Sequence, residues 1–97
     1  MKKLIARVEL HGFTDESYEK LHEAMAAFGF DRSFVNPADG MNYVLPNGTY
    51  YSEKVGELSD IRIKVSAIAD SLSTRKKASV WLCEFQDCNW YLYKESN

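Results

Sequence analysis

The stretch KLIARVELHGFTDESYEKLHEAMAAFG, residues 3–29, contains two apolar periods in succession. Over residues 3–11 every second side chain is apolar, and this period of two predicts a β-strand. One face of that strand is entirely apolar and consists of Leu4, Ala6, Val8 and Leu10. The other face is mixed and consists of Ile5, Arg7, Glu9 and His11. We therefore expect the rest of the fold to cover the apolar face.

The residues that follow this strand have the period of a helix. Thr14 or Asp15 is the expected N-cap, and Gly29 is expected to end the helix in the left-handed conformation. The apolar stripe of the helix consists of Tyr18, Leu21, Met25 and Phe28. A single stripe of this kind predicts an amphipathic helix that lies flat against the apolar face of the sheet.

The middle of the chain predicts short strands. Residues 30–35 are a strand candidate, and residues 36–40 either add a bulge or kink to it or form a loop between two pieces. The sequence Pro46-Asn47-Gly48 favours a tight turn, because proline presets φ and the other two residues accept positive φ. Residues 41–45 and 49–54 are therefore predicted to pair as a hairpin.

The C-terminal half predicts a second helix over residues 59–72, with Ser59 or Asp60 as its N-cap. Its buried face is expected to consist of Leu58, Ile61, Val65, Ile68 and Leu72. Residues 73–77 are expected to form an exposed basic loop. Residues 78–85 alternate as a long strand, and residues 90–93 are a short terminal strand candidate.

The order of these elements predicts one α+β domain over residues 1–97. Two strand–helix–strand units on one sheet give a ferredoxin-like βαββαβ sandwich, here with a short additional C-terminal strand. Right-handed crossovers then place both helices on the same face of the sheet.

The composition excludes several classes of protein. Hydrophobic residues make up 45% of the chain and charged residues 27%, which is typical of a folded domain. The net charge of −2 disfavours binding to nucleic acid by bulk electrostatics, so we expect no DNA partner. Two cysteines are too few for a disulfide framework, and we expect neither a leader nor a membrane span. A cytoplasmic location is the resulting expectation.

The last long strand decides what the second face of the sheet carries. Val80 and Leu82 are expected to join the helix-covered face, which leaves Trp81, Cys83 and Phe85 with Ile5 on the open face. That apolar surface would serve a homodimer, a platform for stacking RNA bases, or the core itself if the alternation is shifted by one. We expect a dimer interface at Ile5, Trp81, Phe85, Trp90 and Leu92. Residues 90–93 fit a strand added to the sheet edge of a partner chain.

Arg7, Glu9 and His11 lie at i, i+2 and i+4 on one strand face. Such a trio could hold a phosphate with Arg7 while Glu9 orients His11 for proton transfer; the alternative is a cross-strand salt-bridge ladder. His22 is expected on the helix side of the sheet, where it could not share a substrate with His11 unless the strand twists or bulges after Leu10. Candidate RNA contacts are Arg32, Arg75, Lys76 and Lys77, and the alternative is that these charges only keep the surface soluble.

The segment ARVEL, followed by a helix that ends in LHEAMAAFGFDRSFV, resembles the first strand, helix and second strand of GhoS-type proteins. These are endoribonuclease antitoxins of type V toxin–antitoxin pairs, similar to the small CRISPR-associated ferredoxin-like nucleases. The shared pattern includes a helix with leucine and methionine and an aromatic residue, Phe30, before the second strand. The resemblance implies a dimeric enzyme that cleaves the single-stranded messenger RNA of a toxin.

One departure from that family concerns a metal. The CRISPR-associated relatives carry an aspartate at the end of the first strand, where this chain has Glu9, Leu10 and His11. The resemblance therefore implies cleavage without a tightly bound metal, and we expect no cofactor. The alternative function is a non-catalytic dimeric ferredoxin-like module that binds a protein partner.

Overall fold

The computed structural model describes residues 2–95. Within this range the chain forms two helices and six strands, and the strands form two three-stranded antiparallel sheets. The elements in chain order are β1 (Lys3–His11), α1 (Ser17–Ala27), β2 (Ser33–Val35), β3 (Asn42–Val44), β4 (Thr49–Ser52), α2 (Leu58–Asp70), β5 (Lys76–Phe85) and β6 (Tyr93–Lys94). The mixed α+β class predicted from the sequence is confirmed.

The main sheet has the strand order β4-β1-β5, with the alternating strand β1 at its centre. Its predicted apolar face is confirmed, because Leu4 and Ala6 are inaccessible to solvent and Val8 and Leu10 are 3% exposed. Both helices cover this face. The helix residues buried in the core are Leu21 and Met25 of α1 and Ile61, Val65 and Ala69 of α2.

The end of α1 follows the sequence prediction, but its start does not. Gly29 has φ +92°, and the amide of Phe30 donates to the carbonyl of Met25 at 2.8 Å, which closes the helix as expected. The helix begins at Ser17, later than a cap at residue 14 or 15 implies. The amide of Thr14 instead donates to Ser17 Oγ at 2.9 Å, so these two residues form a turn that precedes the helix.

The start of α2 is also displaced from its prediction. The helix begins at Leu58 with Glu57 in extended conformation as its N-cap, rather than Ser59 or Asp60. Leu58, expected to be buried, is 38% exposed. Ile68 and Leu72 pack only at the margin of the core.

The Pro46-Asn47-Gly48 turn exists, but the predicted hairpin is wrong. The carbonyl of Pro46 accepts from the amide of Thr49 at 3.0 Å, and Gly48 has φ +76°. The strands on either side lie in different sheets, since β3 pairs with β2 and β6 while β4 pairs with β1. The carbonyl of Gly48 accepts from the amide of Val8 at 2.8 Å, and a Cβ at position 48 would lie 2.7 Å from the carbonyl oxygen of Val8. The turn therefore connects β3 of one sheet to β4 of the other, and its backbone is hydrogen-bonded to β1.

The hairpin in this region is formed by β2 and β3. Residues 36–41 form the loop between them, so of the two alternatives for residues 36–40 the loop is confirmed. The Asp39 carboxylate accepts from the amide of Met41 at 2.9 Å and from Tyr43 Oη at 2.6 Å. These two bonds lower the pKa of Asp39, because they favour the charged carboxylate.

The C-terminal strand completes the small sheet of the same chain. Lys94 lies opposite Tyr43 and Tyr93 opposite Val44, so β6 is the third strand of the sheet β2-β3-β6. Of residues 90–93, only Tyr93 lies in this strand, and addition to a partner's sheet edge stays a prediction. The pairing of β6 with β3 also places Trp90, which precedes β6, against Phe34 and Tyr43 of the same chain.

Candidate functional site

The face of the main sheet away from the helices carries the residues singled out in the sequence. In the register of β1 and β5, Arg7 lies opposite Trp81, Ile5 opposite Cys83 and Glu9 opposite Ser79. These six residues border a shallow cleft of about 380 Å³, which we call the face cleft. Trp81 is 70% exposed, so the expected alternation is correct and the tryptophan is not part of the core.

His11 is fixed at the end of β1 by contacts with the chain around β5. Its amide donates to Ser73 Oγ at 2.8 Å, and its carbonyl accepts from the amide of Arg75 at 2.8 Å. The imidazole Nε2 lies 2.8 Å from Ser79 Oγ. The pairing of β1 with β5 shifts register between Glu9 and His11. The side chain that contacts the imidazole of His11 is thus Ser79, and Glu9 lies opposite Ser79 in the register.

Two of the four predicted RNA-contacting cations lie beside His11. A cleft of about 440 Å³ is lined by Leu10, His11, Gly12, Arg75 and Lys76. The predicted basic loop is shorter than expected, because β5 begins at Lys76 and pairs it with His11. Arg32 lies instead near His22, on which its charge acts. The structure thus brings an imidazole and two cations to one end of the sheet.

A further cleft of about 580 Å³ lies between the end of β1 and helix α1. Its lining residues, which define the edge cleft, are Arg7, Val8, Glu9, Tyr18, His22, Asn47 and Gly48. It forms because β4 pairs with β1 from Leu4 to Arg7 and the chain then turns at Gly48. Tyr18 Oη accepts from the amide of Leu10 at 3.0 Å, on the same edge of β1.

The two histidines line different clefts, since His11 lies beside Arg75 and Lys76 and His22 lies in the edge cleft. His22 does lie on the helix side, as expected, but it shares the edge cleft with Arg7 and Glu9. Both of those residues also line the face cleft. The two clefts are thus neighbours across β1.

His22 is held by a buried phenol. Its Nδ1 lies 2.7 Å from Tyr50 Oη, and Tyr50 is inaccessible to solvent. Burial lowers the pKa of His22, the charge of Arg32 lowers it further, and Glu19 opposes both. Burial raises the pKa of Tyr50 to about 12, so its hydroxyl keeps its proton at neutral pH.

An apolar groove of about 880 Å³ separates the main sheet from the small sheet and the segment before β6. Its aromatic and aliphatic lining includes Phe34, Tyr51, Phe85, Trp90 and Leu92, and we call it the aromatic groove. The Trp90 ring lies 5.2 Å from Phe34 and 5.0 Å from Tyr43, centroid to centroid. Four of the five predicted dimer residues thus line a groove within one chain, namely Ile5, Phe85, Trp90 and Leu92, and Trp81 lies outside it.

Comparison with known proteins gives no match. No protein-family model, curated protein or solved structure matches this chain.

Residues 2–95 contain no group of three or more His, Cys, Asp or Glu side chains arranged to hold a metal ion. Neither helix in this range is long and apolar enough to cross a membrane.

Several residues of the site were missed in the sequence. Ser79 shares the parity of Trp81 in the alternating strand, so it could have been placed on the open face. Tyr50 and Asn47 had no such signal, because their relation to His22 depends on the path of the chain between the two sheets.

Proposed function

We propose that this protein is a GhoS-like endoribonuclease antitoxin that binds single-stranded messenger RNA across the face cleft. The observation that carries the proposal is the exposed ring of Trp81 opposite Arg7, with His11, Arg75 and Lys76 at the end of the same sheet. An exposed ring on a sheet can stack an unpaired base, and the neighbouring cations can contact phosphates. The local charge is basic although the chain is mildly acidic.

The proposed chemistry uses the 2′-hydroxyl of the RNA. The 2′-oxygen attacks the adjacent phosphorus and the bond to the 5′-oxygen breaks, which leaves a 2′,3′-cyclic phosphate and a 5′-hydroxyl. His11 takes the 2′ proton, since imidazole exchanges protons near neutral pH, and Ser79 holds the ring for this step. Arg7, Arg75 and Lys76 stabilise the charge that develops on the phosphate. The leaving 5′-oxygen takes a proton from water, and His11 releases the 2′ proton to solvent, so the protons balance. Glu9 lies exposed on the same face, opposite Ser79.

The proposal includes the ferredoxin-like arrangement of the fold. Its support is the strand order β5-β1-β4 with both helices on one face. A bridge joins Asp31 to Tyr51, with backbone bonds of 2.9 and 2.8 Å, and extends this order towards the residues before β2. If the main sheet is continued through this bridge, the proposed order is β5-β1-β4-β2, which interleaves two strand–helix–strand units; β2 itself pairs with β3. A cytoplasmic location and action as a homodimer belong to the same proposal.

The test of the proposed function is RNA cleavage by the purified protein. Labelled single-stranded RNA is incubated with wild type, with and without a chelator, and the products are analysed for cyclic phosphate ends. We expect cleavage to persist in the chelator. His11→Ala should reduce the rate by about 10²- to 10⁴-fold, the usual contribution of proton transfer, and Arg7→Ala should reduce it too. Arg62→Ala, on the exposed surface of α2, is the control. If wild type cleaves no RNA in any ionic condition, the proposal is wrong.

A second candidate function is a non-catalytic dimer. It is favoured by one observation, the continuity of exposed Trp81 with Ile5 and Cys83, which line both the face cleft and the aromatic groove. Sedimentation of wild type and Trp81→Ala tests it. A dimer that becomes monomeric on this substitution, in a protein without ribonuclease activity, would favour the second candidate over the first.

A further inference from the structure

We infer that the edge cleft is a nucleotide-binding subsite, in which the imidazole of His22 donates a hydrogen bond to the nucleotide next to the one at Trp81. This inference rests on the proposed function, because it takes single-stranded RNA as the ligand. It assigns a role to His22 that the cleavage chemistry does not use.

The first step concerns which nitrogen of His22 carries the proton. Tyr50 is fully buried, and in residues 2–95 its hydroxyl has His22 Nδ1 as its hydrogen-bond partner. A buried phenol that keeps its proton must donate it, since an unsatisfied buried donor costs about 1–3 kcal/mol. Nδ1 is then the acceptor, and the neutral imidazole carries its proton on Nε2. Tyr50 thus fixes both the orientation and the tautomer of the ring.

The second step concerns the chemistry of the edge cleft. Arg7 supplies a cation, and Asn47 and His22 supply N–H donors. Glu9 is an acceptor for an exocyclic amine or a ribose hydroxyl. Tyr18 adds a ring whose hydroxyl is already occupied by the amide of Leu10. A phosphate, polar base edges and an aromatic face are the groups that this combination recognises, and a nucleotide has the first two and stacks on the third.

The third step concerns the path between the two clefts. Arg7 and Glu9 lie in the walls of both the face cleft and the edge cleft. Thr49 of β4 covers the edge of β1 at Arg7, and Gly48 covers it at Val8, where its carbonyl accepts from the Val8 amide. A single strand that stacks one base on Trp81 can therefore cross β1 beyond the Gly48 turn, beside Glu9, and place its neighbour at His22.

The test separates binding at His22 from cleavage. The probe is a single-stranded RNA hexamer of mixed sequence with 2′-O-methyl groups throughout, which cannot be cleaved through the 2′-oxygen. The side-chain nitrogens of His22 and the indole N–H of Trp81 are followed by NMR in the full chain, with Trp81→Phe used to assign the indole. We expect the free protein to show the Nε2-protonated tautomer. We also expect both residues to shift when the hexamer is added.

His22→Asn is the matched variant, because its amide oxygen can still accept from Tyr50 while no donor reaches the cleft. We expect it to weaken hexamer binding by about 10-fold or more, the effect of losing one hydrogen bond to a charged group. Lys64→Ala on the exposed surface of α2 should leave binding unchanged. Tyr50→Phe should shift the tautomer equilibrium of His22 without entering the cleft.

The outcomes distinguish the inference from the proposed function. Shifts at both His22 and Trp81, in a protein that cleaves no RNA, would uphold the subsite and overturn the enzyme. A shift at Trp81 alone, or wild-type affinity in His22→Asn, would overturn the subsite and leave the enzyme intact. If neither residue responds and no RNA is cleaved, both are overturned.

Discussion

The helix-covered side of the main sheet and the aromatic groove beside the small sheet both contain many large apolar side chains, but only the first is closed. Leu4, Leu21, Met25 and Val65 are all inaccessible to solvent. Across the groove, Trp90 is only partly buried, and a space of about 880 Å³ remains open. The difference follows from element length, since β1 and the two helices have 9, 11 and 13 residues, while β2, β3 and β6 have 3, 3 and 2. Long elements repeat a contact pattern often enough to exclude water, and short strands do not.

The largest effect is expected from a truncation in the closed core. Leu21→Ala removes a side chain that is inaccessible to solvent, so the free energy of unfolding should fall by about 2–5 kcal/mol. Urea denaturation measures this change. Glu23→Ala, on the exposed face of the same helix, is the control and should stay within about 0.5 kcal/mol of wild type. A loss under about 1 kcal/mol for Leu21→Ala would mean that α1 does not pack as described.

A smaller effect is expected in the aromatic groove. Trp90→Ala removes the ring that contacts Phe34 and Tyr43, and because that ring is partly exposed we expect a loss of about 1–3 kcal/mol. The amides of β6 should also exchange with solvent faster, since the ring lies just before this strand.

Trp81→Ala is the matched control for that truncation. It is the same chemical change at a side chain that is 70% exposed, and stability should stay within about 0.5 kcal/mol of wild type. Equal losses at the two tryptophans would contradict the contrast between a ring packed within the chain and a ring available to a ligand.

The smallest effect is expected from pH and again distinguishes the two regions. The pKa of His22 is lowered in the folded protein, chiefly by burial and then by Arg32, so the unfolded chain binds its proton first as pH falls. The free energy of unfolding should therefore decrease as the pH falls from about 6.5, the ordinary pKa of histidine, to the lower pKa of His22 in the folded protein. The charged and titratable groups around His22 are Glu19, Arg32, Tyr50, Tyr18, Arg7 and Glu9.

Urea denaturation between pH 7.5 and 5 measures this dependence, with His22→Asn and His11→Ala compared with wild type. The free energy of unfolding should depend less steeply on pH in His22→Asn than in wild type. The lowered pKa of Asp39, in the loop between β2 and β3, acts in the same direction but only below about pH 3.8, which lies outside this pH range. Unchanged slopes in His22→Asn would mean that His22 is not held neutral by its surroundings.

The parts of the fold that could be predicted are those set by a long local period. The alternation in β1 identified Leu4, Ala6, Val8 and Leu10 as core. The corresponding alternation in β5 placed Trp81 on the open face. Gly29 was recognised as the end of α1 because few other residues accept its φ. Each of these depends on neighbours in sequence, which is why the sequence suffices.

The hairpin across Pro46-Asn47-Gly48 shows where such reasoning fails. The turn chemistry correctly predicted a tight turn, but a turn does not specify the strand with which each arm pairs. β3 pairs with β2 and β6, where rings such as Phe34 and Tyr43 meet, and β4 pairs with β1. Pairing across sequence distance depends on competing partners, and three-residue strands carry too little pattern to decide between them.

The candidate site divides in the same way. The sequence alone determined which residues share the open face, because alternation along a strand is a property of the covalent chain: Arg7, Glu9 and His11 lie together wherever β1 is placed. Packing between distant segments is what brings Ser79 to His11, Arg75 and Lys76 to the same end of the sheet, and His22 into a cleft with Arg7. Those contacts join residues far apart in sequence. The pairing of β1 with β5 makes the contacts of His11, and the turn at Gly48, where β4 ends, forms the cleft that holds His22 and Arg7.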